Sequence, residues 1–199
     1  TWALVIHLLF AMFTVPLLIW TIWFPQRMLG TDAKVRTKAA VVAEEDWDQD
    51  WKKHFTRFVI SDRLAVSPPW ESQEGDLVIE PGLAFGTGNH PTTHSCLEAI
   101  AKWAVPGESC LDLGCGTGIL ALAAAKLGMD ALGVDFDPDA IQASQKNAEY
   151  NNLQVKFNDT PIEDLRTSYP LVVANLYAEV LIELSSSIVP LVGRRLALA

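Results

Sequence analysis

An α/β domain with a doubly wound, mostly parallel sheet is the fold class this sequence predicts, and three observations predict it. A short apolar strand, Cys110-Leu111-Asp112-Leu113, runs directly into glycines at alternate positions, Gly114, Gly116 and Gly118, ahead of a helical stretch from Ile119 to Lys126. Beyond that turn, strand-like runs over 131–135, 154–157, 171–175 and 195–199 alternate with helix-like stretches over 138–150 and 178–188. Such alternation argues parallel strands with helices on both faces of the sheet. Half of the 199 residues are apolar, enough for one domain core of ordinary size plus an appendage.

The elements before the turn follow in order. From Trp2 to Phe24 the chain carries no Asp, Glu, Lys or Arg, and only His7, Thr14, Pro16 and Thr21 interrupt the apolar run. As a helix it rises ~35 Å, enough to cross a bilayer. Tryptophans near both ends and basic residues on the C-terminal side fit a membrane anchor with the rest of the chain in the cytoplasm. The competing reading is a buried hydrophobic hairpin split at Pro16. Residues 25–43 read as a polar linker, and 44–75 as a helix and strand preceding the main domain. Within them Glu44 to His54 places Trp47 and Trp51 on one face, with acids leading and Lys52 and Lys53 closing. Arg57 to Val66 reads as a strand broken by Pro68-Pro69. The main domain, 76–199, opens with a short strand from Asp76 to Glu80. A loop containing Gly82, Gly86 and Gly88 then ends where Pro91-Thr92-Thr93 starts a helix. That loop is placed to fold over a ligand seated at the glycine turn.

Charge narrows the partners. The formal net charge is −9, and because Arg27, Lys34, Arg36 and Lys38 outweigh Asp32 in the first 38 residues, the remainder is more acidic still. An acidic body suits basic protein partners and suits phosphate backbones poorly, so no direct nucleic-acid contact is expected. Cys96, Cys110 and Cys115 are an odd number with no C-x-x-C pair, which suggests free thiols in a reducing compartment. The chain opens on Thr1 and not on Met, which leaves room for a longer reading frame.

The glycine turn carries the chemistry. Glycine lets the backbone approach a ligand closely, and the following helix points its amide-rich end at it. A dinucleotide fingerprint would require glycine at 119, where Ile119 stands. The observed Asp112-x-Gly-x-Gly-x-Gly118 pattern instead resembles the nucleotide-binding turn of S-adenosylmethionine-dependent methyltransferases. Asp135, at the end of the next strand, is placed to accept hydrogen bonds from both hydroxyls of an adenosine ribose. Asp137 is the fallback for that role, although Asp137-Pro138 also reads as a helix start. Asn158, Asp159 and Thr160 either face the adenine edge or serve as turn residues. Asn175 closes the fourth strand of the domain, where its carbonyl can accept from a substrate amine; a helix-capping role is the alternative. The sequence Asn175-Leu-Tyr resembles the Asn-Pro-Pro-Tyr element of amino methyltransferases without its prolines. His90 and His94 are four apart, but no third ligand lies nearby and no metal site is assigned.

Together these residues resemble the PrmA-type ribosomal-protein methyltransferases. The resemblance runs from about Glu45 to Pro190. It is carried most specifically by Glu80-Pro-Gly-Leu-Ala-Phe-Gly-Thr-Gly-Asn-His-Pro-Thr-Thr93, with Asp46-Trp47 and Trp51, Leu111 to Leu120, Gly133-Val-Asp-Phe-Asp-Pro138 and Asn175-Leu-Tyr-Ala-Glu179. It implies a Rossmann-like class I methyltransferase fold, S-adenosyl-L-methionine as cofactor, and methylation of lysine or N-terminal amines on large-subunit ribosomal protein eleven, a basic cytoplasmic substrate. Cofactor contacts are implied for Thr93, Gly114, Asp135 and Asn175, with Gly116, Gly118 and Phe85 completing the binding set and Asn175 the candidate catalytic residue. Two departures accompany it. The stretch corresponding to the family's substrate-gripping N-terminal domain is short and apolar, and the family's sheet continues for two strands beyond Ala199, so the sheet is expected to be truncated after its fifth strand. Alternatives are a truncated or membrane-anchored module that binds the cofactor without transfer, and a small-molecule methyltransferase.

Overall fold

The computed structural model describes residues 55–81 and 90–199. The expected membrane helix at 2–24, the linker at 25–43, the Trp47/Trp51 helix and Phe85 in the glycine-rich loop all lie outside the described residues. No helix among the described residues is long and apolar enough to cross a membrane. The described residues fall within one compact unit, 47–199.

The stretch expected as one strand from Arg57 to Val66 is a hairpin. β1 (Phe58–Ser61) pairs antiparallel with β2 (Leu64–Ser67). The turn at Asp62-Arg63 contains neither glycine nor proline; it is closed by Ser61 Oγ accepting from the Arg63 amide at 3.3 Å, a serine turn that leaves a weak signal in sequence. β2 pairs parallel with β3 (Leu77–Val78). Leu64, Val66 and Leu77 of this small sheet are buried, as is Ile79 just past it. Arg57 grips Asp76 with two hydrogen bonds, 2.8 and 2.9 Å, and this guanidinium holds the Asp76 carboxyl below the usual carboxylate range.

α1 (Pro91–Trp103) begins with proline at its first position and is capped by His90, whose side chain accepts from the Thr92 amide. Thr93, Cys96, Leu97 and Ile100 form its buried face, the spacing of a helix with one apolar stripe. β4 (Ser109–Leu113), α2 (Ile119–Lys126), β5 (Asp130–Val134), α3 (Pro138–Tyr150), β6 (Lys156–Asn158), β7 (Tyr169–Ala174), α4 (Ala178–Ile188) and β8 (Val192–Leu198) complete the chain. The helices expected over 119–126, 138–150 and 178–188 recur with the same bounds, whereas the strands shift by one to three residues because pairing, not local composition, sets where a strand ends.

The large sheet has the order β6-β5-β4-β7-β8, all neighbours parallel. The chain winds outward from β4 through β5 to β6, then returns to β7 and β8 on the other side, which makes the fold doubly wound. Side chains alternate between two cores, as strand geometry demands. Cys110, Leu171 and Val173 join the core beneath α1 and α2, while Leu111, Leu113, Val172 and Ala174 join the one beneath α4. α2 is apolar all round, with Ile119 through Ala124 buried, as a helix enclosed on several sides must be. The strand order reverses between β4 and β7, and in such sheets the crevice that binds ligands lies at the carboxyl ends of the strands at that point.

Candidate functional site

The glycine turn leaves β4 at that crevice. Gly114, Gly116 and Gly118 all have left-handed backbones, with φ of 69°, 52° and 79°. Space is limiting as well as conformation: a Cβ at Gly118 would stand 2.8 Å from Ser144 Cβ and 2.9 Å from Phe157 Cζ, and one at Gly114 only 2.3 Å from Leu176 Cδ2. The turn is tied to β5, because the amides of Gly114 and Cys115 both donate to the Val134 carbonyl at 2.9 and 3.0 Å.

Asp135 follows β5 and braces the same turn. Its Oδ2 accepts from the Gly116 amide at 2.9 Å and its Oδ1 from the Asp137 amide at 3.0 Å. Two ionised oxygens offer about four acceptor positions, so one remains on each oxygen after these bonds. Asp137, the fallback for the ribose role, caps α3, its Oδ1 accepting from the Asp139 amide at 2.9 Å. Asn158 is occupied in a turn, its Oδ1 accepting from the Thr160 amide at 3.0 Å, while its backbone carbonyl accepts from the Asp135 amide at 3.2 Å. Phe136, which the sequence offered only as part of the Gly133–Pro138 motif and with no role of its own, follows Asp135 with 93 % of its surface exposed.

On the other side of the crevice, Asn175 lies just past β7. Its amide nitrogen donates to Thr93 Oγ1 at 3.0 Å, across 82 residues of chain. With that nitrogen committed, the carbonyl oxygen is the part of the side chain left to accept from another donor. The flanking backbone is held by Ala199, whose amide donates to the Ala174 carbonyl and whose carbonyl accepts from the Leu176 amide, both at 3.1 Å. The next helix gains no side-chain cap from this segment, so the capping alternative for Asn175 does not apply. His90 and His94 have separate duties, His90 capping α1 and His94 packing its ring on Phe58 at 4.3 Å. All three cysteines are free and buried.

Asp112 is the acid the sequence placed before the turn without a role. It is 1 % exposed, its Oδ2 accepts from the Ala121 amide at 3.0 Å, and its Oδ1 has no partner. Burial pushes its pKa up to about 7; the bond from Ala121 opposes the rise and the charge of Asp135 adds to it. Because the folded state holds this proton more tightly than the unfolded chain, folded stability falls as pH rises from the ordinary carboxylate value to about 7. The neutral variant Asp112→Asn is expected to flatten that decline. Thermal unfolding of both proteins between pH 4 and pH 8 measures it, and parallel profiles would exclude a buried carboxyl as its source.

A parallel sheet in this order, with a glycine turn after its central strand and an acid after the neighbouring one, is the Rossmann-like fold of class I methyltransferases. The chain belongs to the family described as ribosomal protein L11 methyltransferase (PrmA), whose model matches residues 20–196. That match begins well upstream of Glu45, where the recognisable motifs start. The chain is 42% identical over 164 residues to the ribosomal protein L11 methyltransferase of Dictyoglomus turgidum, covering 79% of this chain and 54% of that protein. It is 41% identical over 165 residues to the Geobacter metallireducens protein of the same name, covering 80% and 55%. The chain thus spans about half the length of the curated relatives it matches. Its fold is similar to the crystal structure of the ribosomal protein L11 methylase from Lactobacillus delbrueckii subsp. bulgaricus, with a TM-score of 0.63 and 31% identity over 70% of this chain and 76% of that one.

Proposed function

We propose that this protein binds S-adenosyl-L-methionine in the crevice between β4, β5 and β7 and directs its methyl group to an amine of a ribosomal protein. The observation that carries the reading is the convergence of Gly114, Asp135 and Asn175 at the carboxyl ends of neighbouring strands, with Thr93 of α1 joined to them by the hydrogen bond from Asn175. The residues present fit the cofactor. Left-handed backbones and the packing of Leu176, Ser144 and Phe157 keep Gly114 and Gly118 as glycines, so the turn takes a conformation that other residues rarely adopt. Asp135 retains acceptor capacity for two ribose hydroxyls, and the exposed ring of Phe136 offers an apolar surface to a base. When bound, the cofactor supplies an electrophilic methyl group.

The chain's own groups position and desolvate. The carbonyl oxygen of Asn175, left over from the bond to Thr93, is suited to accept from a substrate amine and hold its lone pair in line. No side chain at the crevice is assigned as general base, and the proton lost by the amine passes to water. The acidic balance of the chain favours a basic protein substrate, and a ribosomal protein places the reaction in the cytoplasm.

Incubation with S-adenosylmethionine carrying a labelled methyl group and a panel of basic ribosomal proteins tests this. Label on lysine or N-terminal amines of one ribosomal protein, reduced at least tenfold in Asn175→Ala, is the expected result. Cofactor binding without any transfer would leave a binding module, and label only on low-mass amines would replace the substrate class.

A further inference from the structure

One buried amide joins two parts of the molecule that the site description leaves separate. Asn147 of α3 is 1 % exposed, and both ends of its side chain are used. Its Nδ2 donates to the Thr117 carbonyl at 3.0 Å, and its Oδ1 accepts from the Glu80 amide at 2.9 Å. Asn151, which caps the end of α3, does not reach the glycine turn: its Oδ1 accepts from the Val78 amide at 2.7 Å, and its Nδ2 donates to the Val78 and Asn147 carbonyls at 2.6 and 2.7 Å. The two side chains therefore satisfy the free edge of β3 as a neighbouring strand would. Only Asn147 reaches onward into the glycine turn.

The group it reaches controls the turn. Thr117 lies between Gly116 and Gly118, both left-handed, where glycine permits many peptide orientations. The Thr117–Gly118 peptide is fixed at both ends, its carbonyl by Asn147 and its N–H by the Cys115 carbonyl at 2.7 Å. The orientation of that peptide decides where the turn presents its remaining polar groups to a ligand. Thr117 is itself 1 % exposed, so water cannot replace the missing donor if Asn147 is lost.

We infer that Asn147 is a positioning residue for the cofactor turn, holding the Thr117–Gly118 peptide in its binding orientation through a donor that no carboxylate or alkyl side chain supplies. This rests on the reading of the crevice as an S-adenosylmethionine site.

The test compares Asn147→Asp with Asn151→Ala. In Asn147→Asp the acceptor facing Glu80 is kept, but an oxygen replaces the nitrogen facing the Thr117 carbonyl. In Asn151→Ala the β3 edge loses its partners while the turn is untouched. Calorimetry with S-adenosylmethionine is expected to show roughly tenfold weaker binding for Asn147→Asp, the order set by one buried hydrogen bond, and affinity within about twofold of wild type for Asn151→Ala, even where thermal unfolding shows comparable destabilisation. Hydrogen exchange of the cofactor-free proteins is a second readout: the Gly118 amide should exchange faster in Asn147→Asp and unchanged in Asn151→Ala. Equal exchange in the two variants, or affinity losses that simply track destabilisation, overturns the inference. The exchange contrast between the two variants, found together with a wild-type protein that binds no S-adenosylmethionine, instead sinks the functional reading and leaves the positioning of the turn standing.

Discussion

Asp135→Ala is expected to lose S-adenosylmethionine affinity by more than a hundredfold. Hydrogen bonds to a charged acceptor contribute roughly 1.5–3 kcal/mol each, and the proposed ribose contacts are two, so the direct loss is about 3–6 kcal/mol before any change in the turn. A second loss adds to it. The same carboxylate accepts from the amides of Gly116 and Asp137, so the alanine variant also releases the middle of the glycine turn. Asp135→Asn separates the two contributions: its remaining carbonyl oxygen can still brace Gly116, but one acceptor has become a donor, and an intermediate affinity is expected. Calorimetry on folded protein, with unfolding temperature measured alongside, reads both. Affinity within threefold of wild type in the alanine variant would remove Asp135 from the site.

Gly118→Ala is expected to cost roughly 2–5 kcal/mol of folding stability. A left-handed backbone costs an L residue about 1–2 kcal/mol, and Gly118 sits at φ 79°. The added methyl group would also press on Ser144 and Phe157 at under 3 Å, and forcing extra carbon into a packed interior costs about 1–3 kcal/mol. Neither neighbour yields readily, since Ser144 Cβ is fixed to the backbone of α3 and the Phe157 ring is buried. Chemical denaturation of both proteins measures the difference. A loss below about 0.5 kcal/mol would mean that the turn is not held as described. Gly114→Ala is expected to be milder, because the atom its Cβ would meet is the end of the Leu176 side chain, which can rotate away.

Much of this protein follows from rules that act over a few residues. The glycine spacing at 114–118 announced a turn made for close approach, Asp137-Pro138 announced a helix start, and the alternation of short apolar runs with amphipathic stretches announced a doubly wound sheet. The hairpin between β1 and β2 escaped because its turn at Asp62-Arg63 is closed by a serine side chain and carries neither of the residues that usually punctuate a chain. Asn147 and Asn151 escaped for a related reason: two polar residues one helical turn apart look like a solvated face until the partner strand is in place.

By itself the sequence determined the strand–glycine–helix unit, the bounds of the helices at 119–126, 138–150 and 178–188 and, through its resemblance to a family, which residues are proposed for the site, because propensity, capping and turn chemistry are local properties of a chain. Only the tertiary structure decided that Asn175 meets Thr93 across 82 residues, that Asp112 is sealed from water with one oxygen unpartnered, and that Asn147 ties the glycine turn to the end of β3. Those relations depend on sheet order and on which helix covers which face, and a hydrogen bond about 3 Å long exists only once those are fixed.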